Sequence, residues 1–335
     1  MSKVLSLLPL VLILICCQKN PLKVDVSGIN LNLSLKRLDH DLFKVTPDNL
    51  TTKIPELKQK YGSFFDAYNQ NVLALGDPTD PMYSGYLNTF LSDSVRVFSR
   101  QKIDSVFNNL TSIQKPLEEG FRHYRYYFPD KRIPEVITII SGFNQSVVMT
   151  TDAIGISLDN YLGADCPFYR NLALPAYKRE NMCAAKIPTD VLYAWGVSEF
   201  LYNEANDNML SQMVYQGKMI YFLDAMFPDE PDQLKIGYQP EKLEWCKKNE
   251  SAMWTYLVEH KLLFSSERMN IVRLINPAPF TSIFSPDSPG RAGIWIGWQI
   301  VKSYMKKNPG TTLPELMANN DYQGILNESG YSPEE

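Results

Sequence analysis

The sequence predicts an α+β fold, in which a small early β-sheet is followed by a predominantly helical remainder. Two observations carry this prediction. Apolar and polar residues alternate in Lys23–Leu38 and in Ser146–Leu158, and Pro134–Ser141 is rich in residues of high β-propensity, as expected of strands. From Pro188 onward the apolar residues follow helical spacing instead, and no internal repeat is visible.

The helices are expected in two groups. Asp39–Phe128 is predicted to be largely helical, with prolines dividing it into short helices and a last helix at about residues 104–128. Gly163–Lys186 is predicted as a long irregular loop, a kind of segment that usually has a functional role. The later helices are predicted at Pro188–Tyr202, Asn208–Phe227, Pro240–His260, Gly290–Lys307 and Leu313–Ala318.

The first residues of the chain predict export. Lys3 is followed by the aliphatic run Val4–Ile15, which is too short to cross a bilayer core of about 30 Å as a helix. A basic residue before a short apolar run is typical of a secretory signal. Cys16 and Cys17 follow at the position where lipoprotein precursors are acylated and cut. We expect Cys17 to carry the lipid, because Cys16 places a small residue directly before it.

This interpretation assigns residues 1–16 to a lipoprotein signal peptide, residues 17–23 to a lipidated tether, and residues 24–335 to a single elaborated α+β domain. Acyl chains such as palmitate on Cys17 would attach the protein to a membrane, at about 0.8 kcal/mol per buried CH₂ group. Gln18, Lys19 and Asn20 form no acidic export tag. The expected location is therefore the periplasmic face of the outer membrane.

Composition narrows the function classes. The net charge of −4 argues against nucleic-acid binding, which needs clustered Lys and Arg. Three cysteines follow the signal, and an oxidising envelope permits one disulfide among them. If one forms, Cys166 and Cys183 are the expected pair, because they flank a single loop.

No catalytic, metal-binding or cofactor-binding motif can be assigned. His40, His123 and His260 are far apart, and no pair has the i, i+4 spacing that presents two imidazoles to zinc from one helix face. Neither a Gly-x-Ser-x-Gly motif nor a phosphate-binding glycine pattern occurs. We therefore expect no cofactor and no metal.

The helix predicted at Gly290–Lys307 has unusual residues in its first turns. Gly293 and Gly297 lie one turn apart on one face, where they allow another backbone to approach closely. A glycine inside a helix costs about 1 kcal/mol relative to alanine, so that contact should be a close one. Arg291 is poorly placed for the helix dipole and is expected either to pair with a buried acid or to bind a ligand.

Four blocks of the sequence resemble the gliding-motility-associated lipoprotein B family of Bacteroidetes. They span nearly the whole chain after the signal and occur in the order found in that family. The resemblance implies an envelope lipoprotein linked to gliding and to the associated protein-secretion system, and it implies no catalytic residue. The blocks are Lys36–Phe43, Gly155–Gly163, Gln216–Asp224, and Pro289–Gly293 continuing to Tyr304.

A second resemblance is to zinc peptidases of the gluzincin type. The order of strand, helix and second helix is similar, but the first helix, at Val191–Phe200, has no histidine, and Gln216 stands where those enzymes have a glutamate ligand. This resemblance implies a degenerate zincin-like fold that has lost its metal ligands. The corresponding pseudo-active-site cleft is expected to contain Asp159, Glu199, Gln216 and Arg291.

Two functional hypotheses remain open at this stage. The first is a lipid-anchored, non-catalytic envelope protein that acts by interaction with motility, secretion or other envelope proteins. The alternative is an envelope hydrolase, similar to a peptidase, whose active site the sequence does not reveal.

Overall fold

The computed structural model describes residues 20–334. The predicted signal peptide and the lipidation site Cys17 lie outside the described residues. Four strands form one mixed sheet of order β1-β2-β4-β3. The strands are β1 (Leu35–Arg37), β2 (Glu135–Ile139), β3 (Val147–Met149) and β4 (Ala153–Ser157).

Helices make up most of the rest of the described chain. Six α-helices precede β2: α1 (Leu38–Leu42), α2 (Leu50–Tyr61), α3 (Ser63–Ala67), which continues into a short π-helix, α4 (Tyr83–Ser92), α5 (Ser94–Val106) and α6 (Thr111–Tyr127). Those that follow β4 are α7 (Pro167–Asn171), α8 (Ala176–Arg179), α9 (Ile187–Glu199), α10 (Met209–Met226), α11 (Asp232–Ile236), α12 (Pro240–Lys248), α13 (Glu250–Glu259), α14 (Arg268–Ile275), α15 (Ala292–Lys307), α16 (Leu313–Ala318) and α17 (Tyr322–Ser329). This confirms the predicted α+β class.

The sheet separates two hydrophobic cores. β2 pairs in parallel with β1 and β4, and β3 pairs antiparallel with β4. Because side chains alternate across a strand, Ile137 and Ile139 of β2 contribute to the core formed with α1–α4. Ile154 and Ile156 of β4 contribute to the larger core on the other face, formed with α6, α9 and α10.

The larger core is built around α10, most of which is buried. At the crossing of α10 with α15, a Cβ added to Gly217 would overlap backbone atoms of Gly297, and a Cβ added to Gly297 would overlap the carbonyl oxygen of Met213. A Cβ on Gly293 would lie 3.0 Å from the carbonyl oxygen of Leu274. The close backbone approach predicted from Gly293 and Gly297 is therefore present.

Several predicted boundaries need correction. Within Lys23–Leu38, Leu35–Arg37 alone forms a strand, and the preceding apolar residues pack without a strand partner. The predicted helix at 104–128 is instead the end of α5 followed by α6, and the predicted helix Pro240–His260 is divided at Asn249 into α12 and α13. The predicted loop Gly163–Lys186 contains the short helices α7 and α8.

No helix within residues 20–334 combines the length and the apolar character that crossing a bilayer requires.

Candidate functional site

A cavity of about 700 Å³ lies where the loops after β4 and before α9, α12 and α15 meet. Its wall includes Asn160 and Tyr161 from the loop after β4, Tyr193 of α9, Tyr238 before α12, and Arg291 before α15. We call this the Arg291 cavity. It brings together residues from Phe143 to Arg291, which are far apart in the sequence.

Asp159, a predicted cleft residue, lies behind the wall of the cavity. It is completely buried, and its carboxylate accepts hydrogen bonds from the backbone N–H groups of Ser141 at 3.1 Å and Phe143 at 2.8 Å. Gly142 and Phe143 both have left-handed φ angles, of 73° and 67°, which turn this loop around the carboxylate. Burial raises the pKa of Asp159, and the backbone hydrogen bonds oppose that rise. Asp159 therefore fixes the loop that brings Phe143 to the cavity wall.

Asp190, one of the two acidic residues in the cavity wall, is neutralised. Asp190 forms an ion pair with Lys186 at 2.7 Å, and it accepts a hydrogen bond from the Tyr161 hydroxyl at 3.0 Å. Lys186 is buried and also donates to Thr189 at 3.0 Å. Because Lys186 immediately precedes α9 and Asp190 follows four residues later, one turn of helix sets this pair.

Two further predicted residues, Gln216 and Arg291, lie near Tyr193. The Tyr193 hydroxyl donates to the side-chain oxygen of Gln216 at 2.5 Å. Burial raises the pKa of Tyr193, and the nearby positive charge of Arg291 opposes that rise. Gln216 therefore orients Tyr193 from behind, while Tyr193 and Arg291 line the cavity.

Among the described residues, Arg291 pairs with no acid, although such a pair was one of the two roles expected for it. Its guanidinium Nη2 donates to the carbonyl oxygen of Ile236 at 2.8 Å and lies over the Tyr238 ring, with 5.9 Å between the guanidinium carbon and the ring centroid. The Tyr238 hydroxyl donates to the backbone carbonyl of Arg291 at 2.9 Å. Arg291 adopts a left-handed φ of 63°, which a non-glycine residue rarely takes. These contacts hold its guanidinium in the cavity wall.

Glu199, the fourth predicted cleft residue, is not part of this site. It ends α9, nine residues beyond Asp190, which corresponds to about 14 Å along a helix. There it pairs with Lys131 at 2.7 Å and accepts from the Tyr124 hydroxyl at 3.3 Å. The structure thus places Gln216 and Arg291 near Tyr193, buries Asp159 against the loop after β2, and leaves Glu199 at the far end of α9.

The electrostatic character of the cavity wall is basic. The N-cap residues of α9, α12 and α15, which are Lys186, Gln239 and Arg291, all line the cavity, and none makes a side-chain capping hydrogen bond. The positive ends of three helix dipoles therefore face this space. The lining contains five basic and two acidic side chains: Lys178, Lys186, Lys235, Lys242 and Arg291, with Glu180 and Asp190.

The cysteines are free thiols in the described part of the chain. Cys166 is buried before α7, and Cys183 forms a β-bridge with Leu162. No disulfide joins the two in the structure, so the pairing expected from their loop positions is not formed there.

The three histidines of the chain lie on separate elements outside the cavity wall. His40 is exposed, His123 is buried in α6, and His260 stacks on Tyr256 with 4.0 Å between ring centroids. Within residues 20–334, no three His, Cys, Asp or Glu side chains are grouped so that they could hold a metal ion.

Several cavity residues were missed at the sequence level. Lys186 and Asp190 did carry a signal, because a Lys–Asp pair at i, i+4 spacing in an otherwise apolar helix is expected to be a buried or half-buried ion pair. Tyr238 and Asn181 lie in loops without periodicity, and they carry no comparable signal.

Comparisons with known proteins identify the family. Residues 19–333 match the model of a family described as gliding motility protein GldB. No curated protein and no solved structure matches the chain, and the resemblance to zinc peptidases gains no support from these comparisons. Because the family match covers nearly the whole sequence, the chain belongs to the gliding motility protein GldB family, and it is a gliding-motility-associated lipoprotein of the cell envelope.

Proposed function

We propose that this protein is anchored to the periplasmic face of the outer membrane by a lipid on Cys17 and acts, without catalysis, by binding other proteins of the motility and secretion machinery. Family membership supports the link to gliding motility and to the envelope. The signal-like residues before Cys17 support the lipid anchor.

The proposal that the protein is non-catalytic rests on the acidic side chains around the Arg291 cavity, which are paired, buried or exposed to solvent. Hydrolysis by general acid–base or nucleophilic catalysis needs a side chain that can exchange a proton with a reacting group. Asp190 is instead bound by Lys186 and Tyr161, and Asp159 is fully buried against backbone N–H groups. Glu180, the other acidic lining residue, is unpaired but exposed to solvent. Ser146 lines the cavity, and no histidine is among the lining residues of the described chain. This arrangement favours binding.

Crosslinking in living cells tests the interaction. Whole cells treated with a membrane-permeable crosslinker should yield specific adducts of this protein with other envelope proteins, identified by mass spectrometry. The control is an equally abundant envelope lipoprotein of unrelated family. Adducts no different from those of the control would contradict the proposal.

A second measurement separates binding from hydrolysis. The purified mature protein should contain no stoichiometric zinc and should cleave none of a panel of peptides, because the residues around the cavity supply no metal ligand set. Zinc near one atom per chain, with a loss of stability on chelation, would instead support a metal-dependent hydrolase.

A further inference from the structure

We propose that the Arg291 cavity binds a carboxylate of an extended peptide segment, with the guanidinium of Arg291 as its anchor. This inference rests on the proposed function, since it names the chemistry that a protein partner presents to the cavity. The carboxylate is either the C-terminus of the segment or an acidic side chain within it.

The first step of the argument is charge. Lys186 and Lys235 are already neutralised in ion pairs, with Asp190 at 2.7 Å and Asp224 at 2.8 Å. Among the described residues, Lys178, Lys242 and Arg291 have no carboxylate partner, and Glu180 is the acidic lining residue that remains unpaired. The cavity wall therefore has excess positive charge in a chain whose net charge is −4.

The second step is the way in which Arg291 is held. One of its five N–H donors binds the Ile236 carbonyl oxygen, and the Tyr238 ring lies against the guanidinium. The Cβ position of Gly237 lies 3.4 Å from Arg291 Nη2 and 3.2 Å from the side-chain oxygen of Asn181, so these polar groups converge on one point of the wall. The backbone of Arg291 is in the left-handed region, and backbone strain of this kind is concentrated at binding sites. A guanidinium fixed before the ligand arrives loses little conformational entropy on binding.

The third step concerns the class of anion. A planar guanidinium matches a carboxylate through two parallel hydrogen bonds. The remaining lining supplies side-chain amide oxygens, from Asn144 and Asn181, which can accept from the N–H groups of a peptide backbone, while their nitrogens donate to the carbonyl oxygens of Ser141 and Gly237. Tyrosine rings and the prolines of the loop before α15 provide apolar contact. A cavity of about 700 Å³ is much larger than a single phosphate needs, and its lining suits a peptide with a carboxylate.

The cavity is accessible for such a segment. Lys178 and Glu180, which lie at one side of the wall, are exposed to solvent. An extended chain can therefore enter from that side and place its carboxylate at Arg291.

The test uses the full mature lipoprotein, purified in a mild detergent, on arrays of immobilised pentapeptides. One array presents neutral sequences with a free C-terminal carboxylate, a second presents the same sequences amidated, and a third presents amidated sequences with one internal glutamate. We expect binding to the first or to the third array and none to the second. Binding to the first array would identify the C-terminus as the source of the carboxylate, and binding to the third would identify an acidic side chain.

Variants connect the binding to Arg291. Arg291→Gln should weaken binding by about tenfold or more, as expected for loss of a charge-assisted hydrogen-bond pair. Arg291→Lys should give an intermediate loss, because it keeps the charge and loses the forked geometry. The matched control Arg268→Gln, at an exposed arginine outside the cavity lining, should bind as the wild type does.

A rim variant keeps the proposal testable if Arg291 variants fail to fold. Lys178→Glu changes an exposed residue and should weaken carboxylate binding several-fold without lowering the melting temperature. Four results would each overturn the inference. The first two are equal binding to the amidated neutral array and binding to none of the arrays. The others are unchanged binding by folded Arg291→Gln and displacement of the peptide by millimolar inorganic phosphate. Crosslinking in cells detects partners bound at any surface of the protein. Specific adducts without carboxylate binding would therefore contradict the cavity proposal and leave the proposed function in place.

Discussion

Gly217 and Gly297 are the residues that let α10 and α15 cross with their backbones in contact. The atoms that a side chain at Gly297 would meet belong to the backbone of α10, and a helix backbone cannot move aside as a flexible side chain can. The two glycines therefore set the distance between the two helices at the centre of the larger core.

Replacement of Gly297 should destabilise the protein. The gain in helix propensity is at most about 1 kcal/mol, whereas over-packing costs about 1–3 kcal/mol. We expect Gly297→Leu to lower the free energy of unfolding by more than about 1 kcal/mol, measured by denaturant titration. Gly85 in α4 is the matched control, because no atom lies within 4 Å of its Cβ position, so Gly85→Ala should be neutral or stabilising. A denaturant midpoint that rises in Gly297→Leu would contradict the packing seen here.

Lys218 is a buried charge in the middle of α10. Its Nζ donates to the carbonyl oxygens of Met317 at 3.1 Å and Asn319 at 2.7 Å, which lie at the end of α16. Burial lowers the pKa of Lys218 to about 8. The neutral amine can still donate to both carbonyl groups.

This lowered pKa predicts a pH-dependent stability. Between about 8 and 10.5 the unfolded chain keeps a proton on Lys218 that the folded chain has lost, so this residue makes stability rise with pH in that window. The difference in unfolding free energy between wild type and Lys218→Met should therefore shift in favour of wild type by about 2 kcal/mol from pH 7 to pH 10. Taking the difference cancels other titrating groups. A difference that stays constant would mean that the carbonyl oxygens keep the ammonium at its ordinary pKa.

At the scale of secondary-structure elements, a buried ion pair attaches α11 to the α10–α15 pair. Lys235 of α11 contacts Asp224 of α10 at 2.8 Å, and the Trp298 indole N–H of α15 donates to the same carboxylate at 2.7 Å. Both charged side chains are less than a tenth exposed. Because α11 leads directly into the cavity wall at Ile236 and Gly237, this contact also positions the carbonyl group that holds Arg291.

Breaking this pair should be costly. Asp224→Ala leaves the buried Lys235 with only its weaker partner Asp232, at 3.3 Å, so its charge is poorly compensated and we expect a loss of up to about 3 kcal/mol in unfolding free energy. The double variant Asp224→Ala with Lys235→Met should recover part of that loss, because the uncompensated charge is removed. Asp229→Ala, which breaks an exposed pair with Lys23, is the control and should cost no more than about 1 kcal/mol. Equal effects at Asp224 and Asp229 would argue against the buried pair.

At the scale of the whole molecule, the start of the described chain indicates which side faces the anchor. Asn20 donates to the carbonyl oxygen of Pro228 at 3.3 Å, and Lys23 pairs with Asp229 at 2.6 Å. Cys17 precedes Asn20 by three residues, a span of at most about 11 Å. If Cys17 carries the lipid, the loop between α10 and α11 lies close to the membrane surface.

The anchor itself gives a prediction for the intact cell. Cys17→Ala should leave the protein soluble or unprocessed, whereas Cys16→Ala should still fractionate with membranes. The physical reason is that the acyl chains supply the membrane affinity. Fractionation of both proteins after cell lysis tests this. Membrane retention of Cys17→Ala together with loss of Cys16→Ala would move the lipidation site to Cys16.

The sequence by itself determined the class of the fold and the close helix packing. High β-propensity predicted β2, alternation predicted the strands β3 and β4, and helical spacing predicted α9, α10 and α15, because these patterns reflect interactions between residues near in the chain. Gly297 predicted a close backbone contact for the same local reason. In Lys23–Leu38, alternation predicted more strand than the structure contains. The alternation indicates that one face of the segment is buried, but a strand also needs a neighbouring strand to pair with.

Only the tertiary structure decided the candidate site. Asn160, Lys186, Tyr238 and Arg291 come from loops whose approach is set by the packing of separate helices, which no local pattern records. The same packing separated the predicted cleft residues, because Asp159 points into the loop after β2 and the length of α9 carries Glu199 away from Asp190. It also gave Arg291 a carbonyl partner where the sequence had left open a buried acid or a ligand, and so left its charge available to the cavity.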